Sequence, residues 1–211
     1  MTEKFIRDAL ILWTTIDPIG TLAIFSALTA HMTATARRRT AIKATIYATV
    51  ILFFSIVVGQ LLLSAMGIRL ISLQLAGGLI LFLFGLKMIF GDMNKDARKV
   101  EDAGHDIAVF PLAVPSIATP GAIMAVILMT DNHVYSIPTQ IGTTLIMLAI
   151  MLVTFLLMLA AGPIIRVIGN NGSAILVKVM GMILTALSIE FVMEALKISQ
   201  WIGGDSITSA G

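Results

Sequence analysis

Twice in this chain, about a hundred residues apart, a run of apolar residues long enough to cross a lipid bilayer is interrupted by proline and glycine. The interruptions are Asp17-Pro18-Ile19-Gly20 and Ala118-Thr119-Pro120-Gly121. In hydrocarbon every backbone N–H and C=O must find an internal partner, so a broken helix is tolerated only where it is buried in protein or lines a polar cavity. The two breaks therefore mark the expected working site.

Composition sets the class. Hydrophobic residues make up 58% of the chain and charged residues 12%, against about 25% charged in soluble domains, and the mean hydropathy is +0.99. This is the signature of a polytopic, all-α membrane protein with the lipid bilayer as its main surroundings. A helical span needs roughly 20 apolar residues, so 211 residues leave room for six spans and short loops in one transmembrane domain. The net charge of +2 is too small and too scattered for a nucleic-acid partner. With no cysteine, disulfides and thiolate metal sites are excluded. Lys4 and Arg7 ahead of an apolar run resemble the start of a signal peptide, but Asp17 would fall inside its hydrophobic region. The segment reads as a retained first span.

Apolar segments run from Phe5 to Thr29, Ala41 to Met66, Leu70 to Phe90, Ile107 to Met129, Ile137 to Ile165 and Ala174 to Leu196. A loop of mixed charge, Gly91 to Asp106, divides repeat one (about 1–91) from repeat two (about 107–199), and a short polar tail, 200–211, follows. Setting Gly20 against Gly121 also puts Thr29 against Thr130 and Pro18 within one residue of Pro120. In the third and sixth spans Gly78 falls on Gly181, Leu81 on Leu184, and Lys87 opposite Glu190. Three spans per half make the second copy enter from the opposite side, which is the inverted-repeat plan of many secondary transporters, with the site near the midplane at broken helices. The expected fold is thus six helices as two inverted three-helix repeats, the first and fourth broken at mid-membrane. A shared origin without transport is the bland alternative.

Basic residues set the orientation. Arg37, Arg38, Arg39 and Lys43 follow the first span, Lys95, Arg98 and Lys99 the third, and Arg166 the fifth, while the other side holds Lys4, Arg7, Arg69 and Lys197. Positive residues accumulate on the cytoplasmic side, so both termini are expected outside a plasma membrane.

At each break the order is a side-chain acceptor followed by proline, as at a helix start: the acceptor caps, and the proline lacks an N–H that would be unpaired anyway. Proline also disfavours helical geometry in the residue before it, and Gly20 and Gly121 let backbone or ligand come close. Two helix N-termini would then point into the bilayer interior, each with unpaired N–H groups and about half a positive charge for a carboxylate or other small anion. Asp17, Pro18, Ile19, Gly20, Thr119, Pro120 and Gly121 form the expected substrate site. Capping alone is the competing reading for Asp17 and Thr119; an ionisable group at such depth, costing a few kcal/mol, favours function at Asp17.

Asp17, Lys87 and Glu190 are candidates for coupling or gating. Lys87 and Glu190 lie toward span ends where long side chains snorkel to the interface, and snorkelling is the default for them and for Glu194 and Lys178. Gly77, Gly78, Gly85, Gly181 and Ala186 suit close helix packing. His31, His105 and His133 sit at loop edges without partners at metal-ligand spacing, so no metal and no cofactor is expected beyond a coupling ion, H+ or Na+. Asn170-Asn171-Gly172 reads as a turn.

Four motifs together resemble the MarC family of bacterial and archaeal inner-membrane proteins. They are Asp17-Pro18-Ile19-Gly20 with Phe25 and Leu28-Thr29, the run Leu75 to Phe82, Pro111-Leu112-Ala113-Val114-Pro115, and Thr119-Pro120-Gly121-Ala122-Ile123. The resemblance covers essentially the whole chain. It departs from the family pattern at Ala23, where a proline is common, and at Thr119, where a glycine is. It implies kinship with amino-acid exporters related to the lysine exporters and, for some members, transport of small neutral amino acids such as glycine and alanine. Drug efflux, suggested by the family's name, ranks below that.

The sequence reading is a secondary transporter or exporter of a small metabolite, foremost a small neutral amino acid, and not an enzyme. A channel for a small solute or ion is the alternative, with an intramembrane enzyme behind it. The oligomeric state stays open, a homo-oligomer included.

Overall fold

The computed structural model describes residues 2–91 and 106–197, so most of the charged loop and the polar tail lie outside the described residues. Among the described residues there are helices and no strands. They are α1 (Thr2–Ile16), α2 (Pro18–Leu28), α3 (Ala34–Ala65), α4 (Leu70–Phe90), α5 (Ala108–Ile117, a wide π-type helix), α6 (Pro120–Met129), α7 (Ile137–Leu159) and α8 (Ala161–Ala195). Five helical segments are long and apolar enough to cross a membrane, six when α5 and α6, bent by 54° at their junction, count as one span. α1 and α2 together form a single 27-residue apolar stretch. The third span occupies the residues expected, Leu70 to Phe90.

Proline accounts for most departures from the expected helices. Within α5, Phe110 and Val114 adopt extended geometry; they are the residues before Pro111 and Pro115, where the proline ring crowds a helical neighbour. Carbonyls there are met five residues on, by Leu112 N–H to Ile107 (3.3 Å) and Ala118 N–H to Ala113 (2.9 Å). The fifth span stops at Leu159 rather than Ile165, because Pro163 supplies no N–H to continue the ladder. The turn expected at Asn170 to Gly172 is helical; the chain kinks instead at Gly169, at φ 71, in the left-handed region that glycine enters without a steric cost.

Packing is reciprocal between the halves. α1 and α2 lie on α7, while α5 and α6 lie on α3; α2 also packs on α8, and α6 on α4. α4 and α8 form the main seam. Gly85 and Gly181 face each other across it, since a Cβ on Gly85 would stand 3.0 Å from the Gly181 carbonyl oxygen and a Cβ on Gly181 3.0 Å from that of Gly85. Leu81 and Leu184 are buried in the same cluster beside them. Small residues thus bring the backbones together in the way apolar media require. Ala186 is exposed and takes no part.

Polar side chains gather at the two ends of the bundle. At one end Gln60 donates to the Ile127 carbonyl and accepts from Asn132 N–H, and Gln140 donates to Asn132 and Tyr135. At the opposite end Lys43 pairs with Asp106 at 2.8 Å, which holds the Asp106 carboxyl below the usual carboxylate range. Arg37 lies over the Phe25 ring there.

The seam can be tested by overpacking. A Cβ on Gly85 would lie 2.3 Å from Thr185 Oγ1, so Gly85→Val should cost about 1–3 kcal/mol and lower the unfolding midpoint of the detergent-purified protein. Ala186→Val, on the exposed face, should leave the midpoint nearly unchanged.

Candidate functional site

The two interruptions meet. Thr119 is the N-cap of α6 in extended geometry, φ −65 and ψ 154, as a residue before proline should be. Its hydroxyl accepts from the Ala122 N–H at 2.8 Å and donates to the Thr15 carbonyl, in the last turn of α1, at 2.7 Å. One side chain therefore closes an exposed N-terminus on its own helix and a freed carbonyl on the other. A turn further on, the Thr21 hydroxyl contacts both the carbonyl and the hydroxyl oxygen of Ser116, at 3.3 and 3.2 Å.

Asp17 solves the same problem differently. It caps α2 from the left-handed region, φ 50 and ψ 69, against the extended geometry its proline favours. Aspartate is among the few residues that tolerate this region. In that position its N–H still donates to Trp13 (3.1 Å) and its carbonyl accepts from Thr21 N–H (3.0 Å), so the interruption is one residue wide. The carboxylate folds back, Oδ1 accepting from Gly20 N–H at 3.0 Å, and the residue is 3% exposed.

The glycines admit close neighbours, as residues without a Cβ can. A Cβ on Gly20 would lie 2.0 Å from Asp17 Oδ2 and 3.1 Å from the Met88 methyl. On Gly121 it would lie 2.1 Å from a Leu81 methyl. The room at each break is taken by the Asp17 carboxylate and by Leu81, so the crossing is closed. Pro18 is buried and Ile19 and Pro120 are half-buried beside it.

Of the remaining candidates, Lys87 and Glu190 are exposed on α4 and α8. His31 and His133 are exposed and His105 lies outside the described residues. Among the described residues no cluster of three or more His, Asp or Glu side chains could hold a metal ion.

Sequence reading passed over Thr15, Thr21 and Ser116, and also a second buried carboxylate. Asp8 on α1 is 0% exposed; it pairs with Lys4 and accepts from the Thr143 hydroxyl of α7 at 2.6 Å. The available signal was the Lys4/Asp8 spacing of four on a helix that is otherwise apolar. Its partner Thr143 stands 135 residues away, which no local pattern reveals.

A model of the MarC family of integral membrane proteins matches residues 2–199. The chain is 35% identical over 188 residues to a "UPF0056 membrane protein" of Archaeoglobus fulgidus, covering 86% of each chain. It is 29% identical to the "UPF0056 membrane protein YhcE" of Escherichia coli, covering 88% of each. Identity is also 29% to the "UPF0056 inner membrane protein MarC" of Salmonella arizonae, over 84% of this chain and 87% of that one. No solved structure matches.

Thr119→Val keeps the shape of the strut and removes both of its hydrogen bonds. It should cost about 2 kcal/mol, from a lost cap and an unmet carbonyl, read as a lower unfolding midpoint in detergent. Thr119→Ser, which retains the hydroxyl, should restore most of the loss.

Proposed function

Because the chain belongs to the MarC family of integral membrane proteins, we propose that it is a secondary transporter of a small neutral amino acid, with its substrate site where the two interruptions cross. The observation that carries this reading is the buried Asp17 carboxylate beside a direct contact between both breaks, Thr119 to Thr15. A carboxylate at such depth is costly in a membrane and is retained chiefly where it works.

Inverted repeats are part of the proposal, and several features support them. α2 and α6 are short helices, each opened by a side-chain cap before proline and each closed by a threonine. Thr29 donates to Phe25 and Thr130 to Val126, at 2.7 and 2.6 Å. The reciprocal packing of each broken pair on the other half's long helix is what a two-fold axis in the membrane plane produces. Leu81 and Leu184, which the sequence alignment pairs, lie together at the α4–α8 seam. Residue 17 falls near the middle of the stretch from Thr2 to Leu28, which favours a site near the midplane.

The chemistry of the crossing suits a zwitterion. Asp17 occupies the Gly20 N–H, the group at a helix start that would otherwise hold an anion. An incoming amino acid can exchange for that contact: its ammonium takes the Asp17 carboxylate, and its carboxylate takes the amide hydrogen released. The closeness of Leu81 and Met88 to Gly121 and Gly20 leaves little width, which favours glycine or alanine over larger substrates. The sequence carries no nucleotide-binding motif, so the driving force would be an ion gradient or the substrate's own. The polar groups on the two end faces fit the orientation set by the basic loops, with Arg37 to Lys43 inside and the Lys4 end outside.

In proteoliposomes the wild type should exchange radiolabelled glycine or alanine with saturation, whereas linear flux would indicate a channel. Asp17→Asn, an equally good cap without charge, should lose flux while keeping its fold; normal transport by it would reduce Asp17 to a cap. For orientation, two exposed positions at opposite ends, Ala34 and Val134, can be compared on a background that has no native cysteine. Ala34→Cys should be protected and Val134→Cys labelled by an impermeant thiol reagent in intact cells.

A further inference from the structure

α3 and α8 begin at the same end of the bundle, and guanidinium groups gather where the two starts meet. Arg37, in the first turn of α3, lies over the Phe25 ring, 5.8 Å from its centroid. It also reaches α8, where a Cβ on Gly162 would stand 3.3 Å from Arg37 Nη1. The group is therefore seated between α2 and α8. Arg166 follows Gly162 by four residues on the same helical stretch, and residues so spaced share a helix face about 6 Å apart. Two planar, permanently charged groups from opposite halves of the chain thus stand on one small region, with Arg38, Arg39 and Lys43 exposed on the adjoining turns of α3.

Among the described residues the carboxylate at this end is Asp106, and Lys43 and the Ala108 N–H already engage it, at 2.8 and 3.1 Å. Neither Arg37 nor Arg166 has an ion-pair partner among the described residues. Helix stability does not account for them, because a cation near a helix start opposes the helix dipole. Orientation in the membrane asks only for basic residues in the loops, not for a guanidinium held against Phe25 and Gly162. A second observation is apolar. The stretch 161–168, which ends at the Gly169 kink ahead of the membrane-spanning part of α8 at Ala174, carries a shallow groove lined by Pro163, Ile164, Val167 and Ile168. Val167 there is 86% exposed. A short helix with an arginine beside an exposed apolar strip suits the boundary between headgroups and acyl chains.

We propose that this junction is a binding site for an anionic phospholipid, its phosphate held by Arg37 and Arg166 and one acyl chain lying along Pro163 and Val167. The fork of a guanidinium matches phosphate oxygens two at a time, and a lipid brings phosphate and hydrocarbon in one molecule. The further positive charge of Arg38 and Arg39 selects a headgroup of net negative charge, such as phosphatidylglycerol, over phosphatidylcholine, whose own cation is repelled. Arg37 belongs to one half of the chain and Arg166 to the other, so the bound phosphate braces α3 against α8. The site depends on the membrane setting of the protein and not on what the protein transports.

Lipid binding to the purified full chain, delipidated in detergent, tests this. Titrated with dioleoyl-phosphatidylglycerol and dioleoyl-phosphatidylcholine, the wild type should retain the former in native mass spectra and release the latter. Arg37→Gln and Arg166→Gln should each weaken binding of phosphatidylglycerol about fivefold, and together about 25-fold. Arg69→Gln, at an exposed arginine of the opposite end, should change it by less than about twofold. Val167→Asn should weaken it too, and inorganic phosphate should not compete. Equal affinity for the two lipids, or a loss in Arg69→Gln as large as in Arg166→Gln, overturns the proposal. Undiminished binding by the double variant also overturns it, and is the result expected if acidic residues of 92–105 occupy the two guanidiniums instead. Full competition by inorganic phosphate would make this a site for a free anion and overturn the lipid assignment. Should Arg37→Gln not yield monodisperse protein, Arg166→Gln, at an exposed position, must show its loss alone.

Discussion

The pairing of backbone groups at two interruptions, in a medium that offers no water to do it, governs the rest of this molecule. A break frees carbonyls on one side and amides on the other, and in an apolar interior each must be answered by a neighbour. The Thr119 hydroxyl answers one of each, accepting from Ala122 and donating to Thr15. That single contact requires the two broken segments to cross in touch, which obliges α3 and α7 to flank them. α4 and α8 are left to close the remaining side through the Gly85–Gly181 approach.

What was legible in the sequence is what chain neighbours decide. A polar acceptor before proline predicts a cap, and both caps are present at Asp17 and Thr119. The bounds of α4 were readable because a largely apolar run between Arg69 and Gly91 determines them. Long-range chemistry was hidden: Asp8 finds Thr143, and Thr21 finds Ser116 95 residues away. Local rules also competed in ways the sequence does not rank. At Asp17 the helix ladder from Trp13 to Thr21 prevails over the preference imposed by Pro18, while at Phe110 and Val114 the proline prevails. In α5 two prolines, four residues apart, break the ladder twice in quick succession, whereas α1 and α2 have only one break to bridge.

The glycines of the breaks were expected to let backbone or ligand come close, and close neighbours are what each of them has. Gly20 is where the Asp17 carboxylate lies down, and Gly121 is where Leu81 of α4 enters. On the transport reading proposed above, a substrate at this crossing would have to displace the side chain already lying there, so that binding and rearrangement would be one event. The ligand's interaction must then differ between the closed and opened arrangements, which is the condition for a ligand to shift a conformational equilibrium at all.

The two breaks are chemically unequal. A hydroxyl that is both donating and accepting is fully committed, which makes Thr119 a fixed strut. A carboxylate only accepts; Asp17 can trade the Gly20 amide for an ammonium without leaving a donor stranded on itself. The exchangeable group therefore sits at the end of α1, and at the other end of the same helix sits the Lys4–Asp8 pair with its hold on α7. An uninterrupted helix between them transmits displacement with little loss. On the transport reading proposed above, unseating Asp17 from Gly20 would be felt at the Asp8–Thr143 contact through that one rigid element.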